Sequence, residues 1–183
     1  MREFFARRAE SFMLLKDKSQ EKSMNTFEET ATAFVDMAHT IIWCTVGTVD
    51  KKNRPRSRIL HPFWDWDGKE LVGWVGTGAT KTKRNHLEQS PFVSINYWVP
   101  NQNTCTAESK ASWCFDLESR QYVWDRYLSL PEPLGYNPAI IPGWENYQSE
   151  NFAVLRFDPW KLRVFPGSAL MGSSEGLLSW TKE

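Results

Sequence analysis

The sequence has only three cysteines, Cys44, Cys105 and Cys114, and no two of them share a redox or metal-type CxxC spacing. An odd, unpatterned set excludes a disulfide framework and predicts free thiols in a reducing compartment, hence a cytoplasmic protein. Histidine is equally scarce, at three residues, and no paired carboxylate, Ser-His-Asp order or metal cluster stands out. No apolar run approaches the ~20 residues of a membrane helix. The opening residues are charged throughout and do not read as a signal peptide, so no membrane partner is expected. Net charge is missing as well, since 22 basic side chains balance 22 acidic ones. Without an excess of Lys and Arg no nucleic-acid partner is expected, and only a local basic cluster is left to hold a small anion.

What the chain has in quantity is aromatic rings: ten Trp, eleven Phe and five Tyr. Such side chains supply large buried area and flat walls for ring ligands, although burial in a core is their common fate. The length of 183 residues suits one domain, 1–183, with a core that needs no covalent staple.

Hydrophobic spacing predicts a short amphipathic helix over residues 2–15 and a polar linker over 16–24. Thr26 and Glu29 form a capping-box spacing that starts a better-marked helix, with Phe27, Ala31, Phe34, Val35 and Ala38 at helical period. From Ile41 the pattern changes to strands: IIWCTVGTV, SRILHPFW, LVGWVGT, PFVSINYW and TCTAESKASWCF, joined mostly by Asp-, Asn-, Gly- and Pro-bearing turns. A short helix, TKTKRNHLEQ, falls between the third and fourth of these and stops at Ser90-Pro91. Asp116 caps a later helix with Leu117, Trp124 and Leu128 on one face. FAVLRFDP and KLRVFP read as a final strand pair broken at Asp158-Pro159. Strands joined by short turns imply an antiparallel meander, and closure into a six-stranded barrel removes its exposed edges.

Two segments carry the chemistry. In RPRSRILHP, alternation puts Arg56 and Arg58 on one face of a strand, roughly 6.5–7 Å apart. Two guanidinium groups that close repel unless they are solvated or share an anion, and their planar forks suit phosphate. In GTGATKTKRNHL, a strand runs through a glycine turn into a helix start, whose free N–H groups favour an anion. Thr77 offers a hydroxyl there, and Lys83 offers charge. Hairpin topology is expected to set the second and third strands side by side and bring Arg56 near this turn. Trp74, Tyr97 and Trp98 are candidate walls for a flat ring. His61 and His86 are acid–base candidates by type alone and read as structural or exposed.

The stretches TVGTVDKKNRPRSRILHPFWDW, GWVGTGATKTKRNHLEQSPFVSINYW, VWDRYLSLPEPLGYNPAIIPGW and FAVLRFDPWKLRV resemble, in order and spacing, the flavin-binding split-barrel family typified by pyridoxamine 5′-phosphate oxidase. They are most similar to its smaller branch of stress-type and deazaflavin-dependent reductases. The resemblance spans roughly residues 27–165 and implies a mainly β fold, a six-stranded antiparallel split β-barrel with flanking helices. It implies a homodimer with the cofactor, FMN or alternatively a deazaflavin coenzyme, in a groove between subunits. The family's phosphate-binding Arg carries over to Arg56, with Ser57, Arg58 and Ile59 against the flavin. The lysine before a helical leucine carries over to Lys83, and the threonine ending the third strand to Thr77. Trp74 and Trp98 complete the expected cofactor set. The implied function is a flavin-dependent oxidoreductase acting on a small molecule. The alternatives are a deazaflavin-dependent reductase, or a flavin or tetrapyrrole binder without turnover. The sequence departs from the family at two points. Lys81 stands where Ser is frequent, and the tail FPGSALMGSSEGLLSWTKE lacks the Trp- and Arg-rich motif that grips pyridoxamine phosphate.

Overall fold

The computed structural model describes residues 25–182, so the helix and linker expected over 1–24 lie outside the described residues. The first helix of the described residues, α1 (Phe27–Ile41), starts where the capping pattern places it, with the Thr26 side chain accepting the Glu29 N–H at 3.1 Å. Ala31, Phe34 and Ala38 are buried along one stripe. Complete burial of a side chain such as Phe34 is worth ~1.5–3 kcal/mol, which fixes this face of the helix against the sheet.

Eight strands follow: β1 (Cys44–Val49), β2 (Pro55–Leu60), β3 (Phe63–Trp66), β4 (Leu71–Thr77), β5 (Phe92–Trp98), β6 (Thr104–Cys114), β7 (Ala153–Phe165) and β8 (Leu178–Thr181). Helix α2 (Lys81–Gln89) joins β4 to β5, and α3 (Leu117–Ser129) follows β6. Every pairing is antiparallel, in the order β2-β1-β5-β6-β7-β4-β3, with β8 added to β7. The two end strands of this path, β2 and β3, are consecutive in sequence, so the sheet curls until its ends nearly meet. The mainly β, antiparallel split barrel is the expected fold.

The strands differ from the expected ones in three places. SRILHPFW is two strands, because Pro62 lacks the N–H a ladder needs; the chain leaves β1 there and takes up β4 as its partner. Pro159, by contrast, does not end β7. The register with β6 shifts between Glu108 and Ser109, so that Ser109 faces Pro159 and Glu108 faces Lys161. That bulge absorbs the proline. β8 lies in the tail, where four residues between turns give too short a pattern to read. It is tied back by the Ser179 N–H to Asn25 Oδ1 at 3.1 Å and by Trp180 against Phe27, with ring centroids 4.4 Å apart.

The core has two parts, one on each side of the sheet. Phe34, Trp64, Ile95, Tyr97, Phe157 and Leu162 fill the barrel beneath α1. Phe63, Val123, Tyr127, Phe152 and Val154 lie beneath α3. The buried face of α3 is Val123, Trp124 and Tyr127, whereas Leu117 and Leu128 are exposed. The expected stripe is rotated because Tyr127 has a polar task. Its hydroxyl donates to the His61 carbonyl at 2.7 Å and accepts the Gly76 N–H at 3.2 Å.

Candidate functional site

The β1–β2 register sets Thr48 opposite Arg56 and Val46 opposite Arg58. Thr48 and Val46 are buried, so both arginines leave β2 on the face that looks toward the barrel. Ser57 and Ile59 leave it on the other face and are exposed. β2 ends the strand path, and a ligand at its free edge can therefore meet both faces.

Arg58 reaches inward and donates from Nη2 to Thr48 Oγ1 at 2.8 Å. Thr48 Oγ1 in turn lies 3.0 Å from His86 Nδ1. Helix α2, capped by the Thr80 side chain, carries Lys83 and His86 on one face, since positions i and i+3 are neighbours. Lys83 Nζ donates to Thr77 Oγ1 at 2.5 Å. One helix face thus grips hydroxyls from two strand ends, Thr77 of β4 and Thr48 of β1. Burial, and then the nearby Arg58 guanidinium, hold the Lys83 ammonium below the ordinary lysine range. Burial also lowers Arg58. Among the described residues, neither cation has a carboxylate within 4.0 Å.

The other strand arginine is placed differently. Arg56 Nη2 lies 3.8 Å from Asp50 Oδ2, an oxygen that Arg54 Nε already holds at 2.8 Å. Burial pushes the Asp50 carboxyl up, but the backbone N–H groups of Arg54 and Lys52 and the Arg54 guanidinium outweigh it and hold the group down to about 2. Arg56 is therefore a rim cation with a counter-ion beside it, and Arg58 is the inner one, without a counter-ion among the described residues. The expected side-by-side packing of the second and third strands holds for the Phe63–Trp66 part of the second, β3, which pairs with β4, but the arginine-bearing part, β2, pairs with β1 instead. It is β1, through Thr48, together with α2, that brings Arg58 and Lys83 together.

Trp74 does not join them. On β4, Val75 and Thr77 face one way and Trp74 the other, toward Tyr122 of α3 and under the Arg156 guanidinium, 5.6 and 5.5 Å away respectively. Trp98 ends β5 half-exposed, donating from Nε1 to Gln102 Oε1 at 3.1 Å. It shares the outer face with Ser57 and Ile59, because Thr45 pairs with both Asn96 and Ile59. Tyr97 is buried and accepts the Trp64 indole N–H at 2.8 Å, so it is core. His61 is buried between the Trp43 and Tyr136 rings. His86, read from sequence as structural or exposed, is buried and lies inside the cation cluster through Thr48. Its spacing from Lys83 was the available signal; nothing local marks Thr48.

The fold and the cation cluster together define the class as a split barrel with part-buried cations gathered near the β2 edge. No protein-family model and no curated protein sequence matches the chain. Solved structures do. A protein related to general stress protein 26, of the pyridoxinephosphate oxidase family, from Clostridium acetobutylicum superposes with a TM-score of 0.62 at 11% identity, covering 85% of this chain and 96% of that one. A pyridoxamine 5′-phosphate oxidase-related, FMN-binding protein from Nostoc punctiforme gives 0.54 at 15%, covering 82% and 84%. An F420 reductase gives 0.50 at 15%, covering 70% and 94%. At these identities the likeness establishes the fold: this chain is built as the pyridoxamine 5′-phosphate oxidase-like split barrels are. No helix among the described residues is long and apolar enough to cross a membrane.

Proposed function

We propose that this chain is a flavin-phosphate-binding oxidoreductase, with the phosphate of FMN held between Arg58 and Lys83. The observation that carries the reading is that pair of part-buried cations, each fixed by a threonine hydroxyl and neither neutralised by a carboxylate among the described residues. Two cations held close without a counter-ion cost the free protein, and a dianion placed between them removes that cost. Thr77 and Thr48 set the direction of the donors, and Arg56 at the rim adds charge where a ligand enters. Ser57 and Ile59, on the outer face of the same edge strand, lie where the flat ring would rest.

FMN, when bound, supplies hydride and electron transfer. The chain's own residues bind it, orient it and keep water from one side. Exposed Trp43 just before β1, Ile59 on β2 and Trp98 on β5 suit a second copy of the chain that would close the groove over the ring. The named FMN-binding neighbour supports this cofactor. The F420 reductase neighbour supports a second reading, in which the same cations hold the phosphodiester tail of a deazaflavin.

Purified protein titrated with FMN and with a deazaflavin coenzyme, followed by absorbance and by reduction with reduced nicotinamide cofactors in a stopped-flow instrument, tests both. Stoichiometric FMN with two visible bands that bleach on reduction is the expected outcome. Retention of neither coenzyme would refute the proposal.

A further inference from the structure

Arg58 is held unlike the arginines that lean on carboxylates. Arg54 and Arg56 lean on Asp50, Arg126 on Asp65, and Arg156 on Asp158 and Glu70. Each of those carries its counter-ion with it. Arg58 is fixed by an uncharged oxygen, Thr48 Oγ1. A guanidinium only donates, so this oxygen accepts. The hydroxyl's other contact is His86 Nδ1 at 3.0 Å, which takes the hydroxyl proton in the tautomer that carries its own proton on Nε2. Both side chains are buried, Thr48 at 4% and His86 at 6% exposure. In that tautomer the donor chain runs from Arg58 to Thr48 to His86.

We propose that Thr48 and His86 are positioning residues for the anion site. His86 fixes the Thr48 rotor, and Thr48 holds Arg58 in place before a phosphate arrives, without cancelling its charge. A carboxylate at position 48 would orient the guanidinium equally well but neutralise it. Water would leave the charge but not the direction. A hydroxyl backed by an imidazole does both, and ordering the long arginine in advance removes that cost from binding. The assignment rests on the flavin-phosphate reading and goes beyond it, because Thr48 and His86 need not touch the ligand.

The test titrates the full chain with FMN, inorganic phosphate and riboflavin. Thr48→Val is expected to weaken FMN and phosphate by roughly tenfold, and Thr48→Ser by less than about twofold. His86→Leu should match Thr48→Val, while His86→Asn, whose amide sits near the Nδ1 position, should restore most of the affinity. In an Arg58→Ala background Thr48→Val should add nothing, and riboflavin binding should not change in any variant. Should Thr48→Val fail to fold, the His86 pair carries the same comparison. An inert Thr48→Val, or an equal loss in the Arg58→Ala background, overturns the positioning assignment alone. A parent protein that binds neither FMN nor phosphate overturns the anion site and the assignment with it.

Discussion

Replacing Lys83 by Met and Thr77 by Val together separates what the free protein wants from what the ligand wants. Both changes keep shape and remove polarity. In the free protein the Lys83 ammonium is disfavoured by burial and by Arg58, so the folded chain binds its proton less tightly than the unfolded chain does. The charged lysine therefore costs stability at neutral pH, and stability of the parent rises as pH climbs from the lowered value toward the ordinary 10.5. The Thr77–Lys83 bond is lost in the double variant, but removing both partners strands neither, and such paired apolar swaps are near neutral or stabilising. The free variant should unfold at the same temperature as the parent or higher, without the alkaline rise. Binding behaves in the opposite way. A hydrogen bond to a charged group is worth about 1.5–3 kcal/mol, so losing Lys83 should weaken FMN roughly 10- to 150-fold. Thermal unfolding with and without FMN, and fluorescence titration, read both quantities. A variant that unfolds several degrees earlier yet binds FMN as the parent does would refute the reasoning, since Lys83 would then be structural.

Two further predictions concern the frame that carries the site. Tyr127→Phe leaves the buried His61 carbonyl and Gly76 N–H without their partner, at about 1–3 kcal/mol for each group. The melting temperature should fall by several degrees, roughly 2–4 °C per kcal/mol for a chain of this size; an unchanged melting point would show that the hydroxyl is idle. His39 Nε2 accepts the Trp64 N–H at 3.0 Å, and burial lowers its pKa against the pull of Asp65. The fold therefore prefers this imidazole neutral. Stability should be full above the ordinary 6.5 and decline as pH falls through the lowered value. The urea midpoint should drop on acidification, less steeply in His39→Gln, and parallel slopes for the two proteins would contradict the assignment.

Local chemistry made much of this fold legible. Thr26 and Asp116, the caps expected from sequence, both accept the backbone N–H three residues on, and a cap needs only a short stretch of sequence to be recognised. Strand partners are a different matter. Pro62 ends a strand and Pro159 does not, because β6 offers a bulge opposite the second and β1 offers none opposite the first. That difference lies in the partner strand, out of reach of local pattern. The candidate site divides the same way. Alternation alone put Arg56 and Arg58 on one face, and the lysine of the helix start was conspicuous. Which arginine turns inward depended on Asp50 claiming the other, and Trp74 belongs to the α3 side because its neighbour on β7 is Arg156.

The central claim is that a phosphate sits between Arg58 and Lys83. The dissociation constants of FMN and riboflavin, measured side by side on the parent and on Arg58→Ala/Lys83→Ala, test it directly, because the two ligands differ only in that group. FMN should bind the parent at least about 100-fold more tightly than riboflavin, and the double variant should bring the two together. Equal affinities in the parent, or a difference that survives both substitutions, would contradict it.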